Sequence, residues 1–343
     1  MAQRFRIACV GAGYFSRFHL DAWRRIETVG LVGITDISLD AAQSTGLPAY
    51  SDLEHMIRDV QPDVLDIIVP PEAQSDAIST ALALGVKTVI CQKPFCASLE
   101  QAEGMSEAAE FAGAMLIVHE NFRFMPWYRF IKKALEDGVI GTPLQVTFRL
   151  RPGDGQGPKA YLDRQPYFQT MSRFLVQETA VHWVDVFRFL LGSPVSVYAD
   201  LRQINPVIAG EDAGIVLFEH HGGMRAVFDG NRLLDHASDN LRRTMGEALF
   251  EGTDGTLELW GDGRVTHRSF GAQHSKTLLP ADTWEGFGGD CVYALQSHVI
   301  DALASDALPE NLARDYCTVL RTRDAIYRSA ETGSKIMLAH SGE

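Results

Sequence analysis

Three side chains in this sequence have the types and spacing to move protons near neutral pH: Lys93, Glu178 and His182. Lys93 lies in the run Val86 to Phe95 (VKTVICQKPF). Its β-branched first half reads as a strand buried on both faces, and its CQKP end as a polar tip. Open α/β sheets bind ligands at such carboxyl ends, and Pro94 restricts the lysine's backbone to an extended form. Glu178 and His182 stand four apart in Val176 to Leu191, which reads as one helix stopped by Gly192. Both should leave the same face, with Asp185 three residues further on. Taken alone, a loop lysine is more often solvated and a helical histidine more often packed. A carboxylate and an imidazole on one helical face also suit zinc, but no third ligand has a clear spacing, and His220 and His221 fall on an expected strand. No metal is therefore expected. The elements that carry these residues decide between the readings.

Phe5 to Val10 is a short apolar strand, followed at once by Gly11-Ala12-Gly13-Tyr14-Phe15-Ser16 and a helical pattern. Strand, glycine turn and helix are the context in which a dinucleotide fingerprint carries weight. Gly11 permits the tight turn, and Gly13 lets the backbone approach a pyrophosphate at the helix N-terminus. Ser16 takes the third position, small enough to keep helix and strand close. A second strand, Leu31 to Thr35, ends at Asp36, whose carboxylate suits ribose hydroxyls and repels a 2′-phosphate. Ile37 and Ser38 offer no arginine for that phosphate, so the cofactor expected is NAD.

The alternation continues. Ser51 is read as the cap of a helix near Asp52 to Arg58, and Val64 to Val69 as a strand stopping at Pro70-Pro71. Glu72 to Leu84 follows as a helix, then the VICQKP strand, a helix from about Ser98 to Ala112 and a strand from Met115 to Val118. Strands and helices in turn predict a doubly wound parallel sheet over residues 1–122, with Val69, Pro70 and Gln92 at strand tips beside the cofactor crevice.

Pro126 to Glu136 reads as a helix and Leu144 to Leu150 as a strand. The polar stretch from Arg151 to Gln169 is a long loop, either functional or a mobile excursion. Its Tyr161, Arg164, Gln165 and Tyr167 suit a polyhydroxylated ligand. Beyond Gly192, alternating segments at 195–201, 213–219, 224–228, 248–251 and 256–260 predict antiparallel strands. Helices at about 290–303 and 313–331 close the chain. Residues 123–343 thus form an expected α+β domain with a largely antiparallel open sheet.

The chain has 343 residues and a formal net charge of −13, from 31 basic and 44 acidic side chains. That balance disfavours nucleic acid or an anionic membrane as the main partner. No apolar window is long enough to span a bilayer, and no secretion signal is visible. Five cysteines without CxxC spacing suit a reduced cytoplasm.

Taken together, GAGYFS with His19, Asp36, the VPP tip at 69–71, CQKP at 91–94, HENFRFMP at 119–126 and ETAVHWVD at 178–185 resemble the Gfo/Idh/MocA family of sugar and polyol dehydrogenases. The resemblance spans residues 5 to about 192, and the sheet expected beyond fits it. It implies cofactor contacts from Gly11, Ala12, Gly13, Tyr14, Phe15, Asp36, Val69, Pro70, Gln74, Gln92, Lys93 and Asn121. It implies substrate contacts from Lys93, Asn121, Arg123, Arg164, Gln165, Tyr167, Glu178 and His182. The lysine and histidine match the family's usual acid/base pair, assisted by the acidic residue. The family usually has glutamate where Gln92 stands, often aspartate where Glu178 stands, and in many members histidine near Gln74. None of these departures removes the lysine or the histidine. The family's open sheet also implies a homodimer or homotetramer.

The expectation is an NAD-dependent dehydrogenase of a sugar (an aldose, branched ones included, giving a lactone) or of a polyol. Hydride leaves a carbinol carbon only as its hydroxyl proton departs, so a base must reach that oxygen. Lys93, if desolvated, can take that proton, and so can His182 with Glu178 fixing its tautomer. The residues do not rank the two. An NAD-dependent glycosidase on the same fold would release sugar without net reduction of NAD, and a non-catalytic NAD-binding sensor would not turn over at all.

Overall fold

The structure, a computed structural model, describes residues 5–338. They fall into two units. The first runs through Asn121 and takes back Val292–Thr318; the second holds Phe122–Cys291 and the chain from Val319 on.

In the first unit the order is β1 (Phe5–Val10), α1 (Ser16–Arg25), β2 (Val29–Thr35), α2 (Leu39–Ser44), β3 (Ala49–Tyr50), α3 (Leu53–Val60), β4 (Val64–Ile67), α4 (Pro71–Ala83), β5 (Thr88–Gln92), α5 (Leu99–Phe111) and β6 (Met115–His119). The six strands form one sheet in the order β3-β2-β1-β4-β5-β6, with all pairs parallel. This is the doubly wound arrangement, whose strand order reverses beside β1 and opens a crevice at the carboxyl ends. Ile7, Leu65, Ile67, Val89, Ile90 and Ile117 are wholly buried, as strands covered on both faces require. Ser98 caps α5, its side chain accepting from Gln101 N–H, while α3 is capped by Asp52 rather than the expected Ser51. Aspartate accepts as well as serine and stands directly before the first helical residue.

The segment before the last helix belongs here because it pairs with β6. Val118 N–H donates to Asn311 O at 2.9 Å, and Asn311 Nδ2 donates to Glu120 O at 2.7 Å. Reading 123–343 as one domain had placed this return in the second unit.

In the second unit come α6 (Pro126–Glu136), β7 (Pro143–Leu150), a π-helical segment Leu175–Ala180 continuing into α7 (Val181–Leu191), then β8 (Pro194–Arg202), β9 (Ala213–His220), β10 (Arg225–Asn231), β11 (Gly246–Gly252), β12 (Gly255–Leu259), β13 (Val265–Ser269) and β14 (Lys276–Leu279). Helices α8 (Cys291–Ala304) and α9 (Ala313–Thr332) each begin in one unit and end in the other, and β15 (Ile336–Met337) follows. The nine described strands run β14-β13-β12-β11-β7-β10-β9-β8-β15. The sheet is antiparallel except where β10 pairs with β7 in parallel.

One face packs on α7. Trp183 stacks on Phe148 of β7 with centroids 4.3 Å apart and reaches Phe228 of β10 at 5.8 Å, while Phe187 meets Phe218 of β9 at 5.7 Å. On the other face Tyr198, Leu217, Val227, Thr147 and Leu249 are cross-strand neighbours in one row.

Candidate active site

The glycine turn is built from backbone geometry. Gly11 has φ +100°, and a Cβ there would stand 2.4 Å from Ile68 O. Only glycine fits. At Gly13 a Cβ would meet nothing within 4 Å, so the backbone faces open space on the side where a pyrophosphate would lie. Ser16 closes the turn by donating from Oγ to Gly13 O at 2.6 Å, which explains serine at the third fingerprint position. Asp36 ends β2 with Oδ2 accepting from Ala12 N–H at 2.7 Å and Oδ1 from Ser38 N–H at 2.8 Å. The carboxylate is thereby fixed beside the turn and keeps lone pairs for ribose hydroxyls.

Asn121, after β6, is buried, and its Nδ2 has no hydrogen-bond partner among the described residues. A buried amide donor of this kind calls for a partner that the described residues do not supply. The open turn, the acidic strand end and this donor together fit a dinucleotide carrying a reactive ring.

Gln74 does something else. Its Nε2 donates to Gln92 O at 2.9 Å and to the carbonyls of Val69 and Pro94 at 3.1 Å each, while Oε1 accepts from Cys96 N–H at 2.7 Å. It staples the tip of β4 to that of β5, so its amide is committed to backbone. Lys93, half-buried, follows directly on β5, and its peptide with Pro94 is cis. Cys91 beside it is no nucleophile, because burial, then Cys96 and Asp66, push its thiol pKa well up.

The second unit carries the histidine and the acid. The expected single helix from Val176 is instead a π-helical turn up to Ala180, so Glu178 and His182 are not related by a regular α-helical repeat. Two groups hold this turn. Glu211 Oε1 accepts from Val176 N–H at 3.0 Å and from Tyr327 Oη at 2.7 Å, and the buried Arg232 donates to Thr179 Oγ1 at 2.5 Å. His182 is buried and lies flat on Phe122, centroids 3.7 Å apart and planes 4° from parallel. Burial and then the Glu178 charge push the Tyr167 phenol up to about 12. Gln165 Nε2 donates to Tyr167 Oη at 3.1 Å.

Other expected contacts are turned elsewhere. Arg123 grips the wholly buried Asp185 with two hydrogen bonds, at 2.8 and 2.5 Å. Arg164 pairs with Asp154 at 3.2 Å, and Arg232 reaches the same carboxylate at 2.7 Å. Burial favours the protonated acid there, but the two arginines outweigh it and hold Asp154 below its usual range. Tyr161 packs with Phe168, Phe174 and Ile208 in a small core of its own. The 151–169 loop is thus anchored; in it Arg164 and Gln165 are half-buried and Tyr167 is exposed.

No motif in the sequence marks Asp66 or Glu211, and Arg232 is marked only as part of the polar stretch 231–246. Asp66 carried a signal: a carboxylate inside a strand buried on both faces must have donors. Among the described residues no cluster of metal-ligating side chains is present, and no helix is long and apolar enough to cross a membrane.

Comparison with known proteins agrees with this geometry. Residues 5–120 match the family model described as the oxidoreductase family with an NAD-binding Rossmann fold, and residues 128–258 match the GFO/IDH/MocA C-terminal domain. A D-apiose dehydrogenase from Paraburkholderia graminis is 33% identical over 98% of this chain and 90% of its own. The chain belongs to the Gfo/Idh/MocA oxidoreductase family. Within this family, a D-apiose dehydrogenase from Rhizobium rhizogenes is 28% identical over 96% of each chain. An oxidoreductase from Agrobacterium radiobacter, solved in complex with NAD+, L-tartaric acid and magnesium, matches 97% of this chain and 98% of its own at 26% identity and a TM-score of 0.87. This Gfo/Idh/MocA oxidoreductase therefore has an NAD-binding Rossmann domain, and NAD is its cofactor.

Proposed function

We infer that this enzyme oxidises a carbinol of a small carbohydrate, an aldose such as D-apiose being converted to its lactone. NAD, when bound, supplies the hydride acceptor. Lys93 then accepts the hydroxyl proton, since it leads directly out of β5, a strand of the sheet that also carries the glycine turn and Asp36. Asn121 donates through Nδ2 to a bound oxygen. His182, its plane set by Phe122, serves the same proton transfer, while Glu178, Gln165 and Tyr167 accept and donate to neighbouring hydroxyls.

The observation that carries this reading is the Gly11–Gly13 turn with Asp36 and Lys93 on one sheet, in a chain whose D-apiose dehydrogenase relative matches it almost end to end. The apolar row Tyr198, Leu217, Val227 and Leu249 supports a homodimer or homotetramer through the outer face of the second sheet, and sedimentation finding only monomer would remove that part.

The test is a panel of D-apiose, other aldoses and inositols with NAD, followed by absorbance of the reduced nicotinamide and trapping of the product with hydroxylamine. Reduced cofactor with a hydroxamate from an aldose supports the proposal. Sugar release from glycosides without reduced cofactor would show a hydrolase instead.

A further inference from the structure

Asp66 interrupts the apolar strand VLDI and is wholly buried. Its Oδ2 accepts two hydrogen bonds, from the Trp23 indole N–H at 2.8 Å and from His19 Nδ1 at 2.8 Å. A carboxylate there only accepts, so Nδ1 of this wholly buried imidazole carries a hydrogen. Across the ring, His19 Nε2 lies 2.9 Å from Gln92 Nε2. Which end of the amide faces the ring is settled one bond further on. The Lys93 backbone N–H donates to Gln92 Oε1 at 2.7 Å, and an N–H cannot donate to an NH2 group. The amide nitrogen therefore faces His19 and donates, which requires a bare lone pair on Nε2. The ring is the uncharged Nδ1–H tautomer.

His119 agrees. Its ring lies 4.0 Å from that of His19, and neither of its nitrogens has a hydrogen-bond partner among the described residues. Burial, then the neighbouring His19, push its pKa well down, so it stays uncharged beside the His19 ring. The titratable groups facing this chain are Asp66 from β4, His119 from β6, and the thiols of Cys9 on β1 and Cys91 on β5, both kept protonated by burial.

A glutamate at 92 could still accept from the Lys93 N–H, but its other oxygen would confront the His19 lone pair. The contact becomes favourable only when the ring gains a second proton. We propose that Asp66, His19 and Gln92 are positioning residues that fix the Lys93 backbone through an uncharged imidazole, and that the neutral amide at 92 is what holds that imidazole as the Nδ1–H tautomer. The chain reaches Lys93 at its backbone N–H, so it orients the residue and carries no proton to or from the substrate. This rests on Lys93 being the acid/base group.

The experiment is nitrogen-15 NMR of the histidine rings in the full-length protein with NAD bound, alongside kcat–pH profiles. Wild type should show His19 as the Nδ1–H tautomer from about pH 6 to about pH 9, across the ordinary imidazole range. Gln92→Glu should show a doubly protonated His19. Its kcat should fall about tenfold further than wild type's on the alkaline side, as loss of an essential proton does. Gln92→Met, which keeps length but removes both hydrogen bonds, should lower kcat about tenfold while NAD affinity stays within about threefold. A wild-type His19 with hydrogen on Nε2, a Gln92→Glu profile superimposable on wild type, or a Gln92→Met kcat unchanged would each overturn the proposal. Full activity in Lys93→Ala would instead remove the acid/base reading and leave the tautomer result standing.

Discussion

Gly11 and Gly13 are separated by one residue, yet alanine at the two positions should fail in opposite ways. At Gly11 the added Cβ meets Ile68 O at 2.4 Å and Ile68 C at 2.9 Å, with φ at +100°. The atoms struck are backbone and cannot rotate aside. Both segments are also pinned, by Gly11 N–H to Thr35 O and Ile68 N–H to Val10 O, each at 2.7 Å. A non-glycine residue held at such a φ costs about 1–3 kcal/mol, and overpacking costs about 1–3 kcal/mol more. Gly11→Ala should therefore lose about 2–6 kcal/mol, lowering Tm by roughly 4–24 °C at the usual conversion for a domain of this size. At Gly13 no atom lies within 4 Å, so Gly13→Ala should leave the apo-protein's stability within about 1 kcal/mol of wild type. Its methyl group enters the space reserved for the pyrophosphate, and the same overpacking cost of about 1–3 kcal/mol should weaken NAD by roughly 5–150-fold. Calorimetry without cofactor gives the first quantity and NAD titration the second. If Gly13→Ala bound NAD like wild type, the pyrophosphate would not rest on this turn and the reasoning would be refuted.

Asp36→Ala should reduce the preference for NAD over NADP by roughly tenfold or more, the worth of a charged hydrogen bond, read as the ratio of kcat/KM for the two cofactors. Arg123→Leu strips the two short hydrogen bonds from the wholly buried Asp185, which keeps Arg188 at 3.5 Å, and should cost about 3–5 kcal/mol, a fall in Tm of roughly 6–20 °C. An unchanged Tm would mean the pair contributes nothing. Because Arg232 and Arg164 hold Asp154 below its usual range, its contribution to stability is present above the unfolded pKa of about 3.9 and is lost as pH falls below that. Asp154→Asn should therefore be less stable than wild type near neutrality and converge with it in acid; a constant gap from about pH 7 to about pH 2 would contradict this.

Five of the six strands of the first unit were legible because each is an apolar run stopped by a turn signal, and because Gly11, Gly13 and Asp36 act through backbone geometry that spacing reveals; β3, two half-buried residues long, carries no such run. The second sheet was legible only in part. Strand β13 (VTHRS) has a single apolar residue, and β14 (KTLL) is short with no buried residue, so neither shows a strong apolar alternation. The parallel pairing of β10 with β7 joins segments far apart in sequence, which no local pattern encodes. Six residues are too few to distinguish a π-helical turn from an α-helix by periodicity, so the relation between Glu178 and His182 was misread. Arg123 was assigned to substrate because its sequence neighbours carry the family motif. Its partner Asp185 is 62 residues away, visible only once both are folded. Asp66 was legible in principle, since a charge inside a buried strand needs an explanation.

The role of Lys93 is tested most directly by Lys93→Ala saturated with NAD and mixed with an aldose that wild type oxidises, following reduced nicotinamide in a single turnover. Proton transfer by this residue predicts a rate about two to four powers of ten below wild type, with NAD affinity unchanged. A wild-type rate in that variant would contradict it.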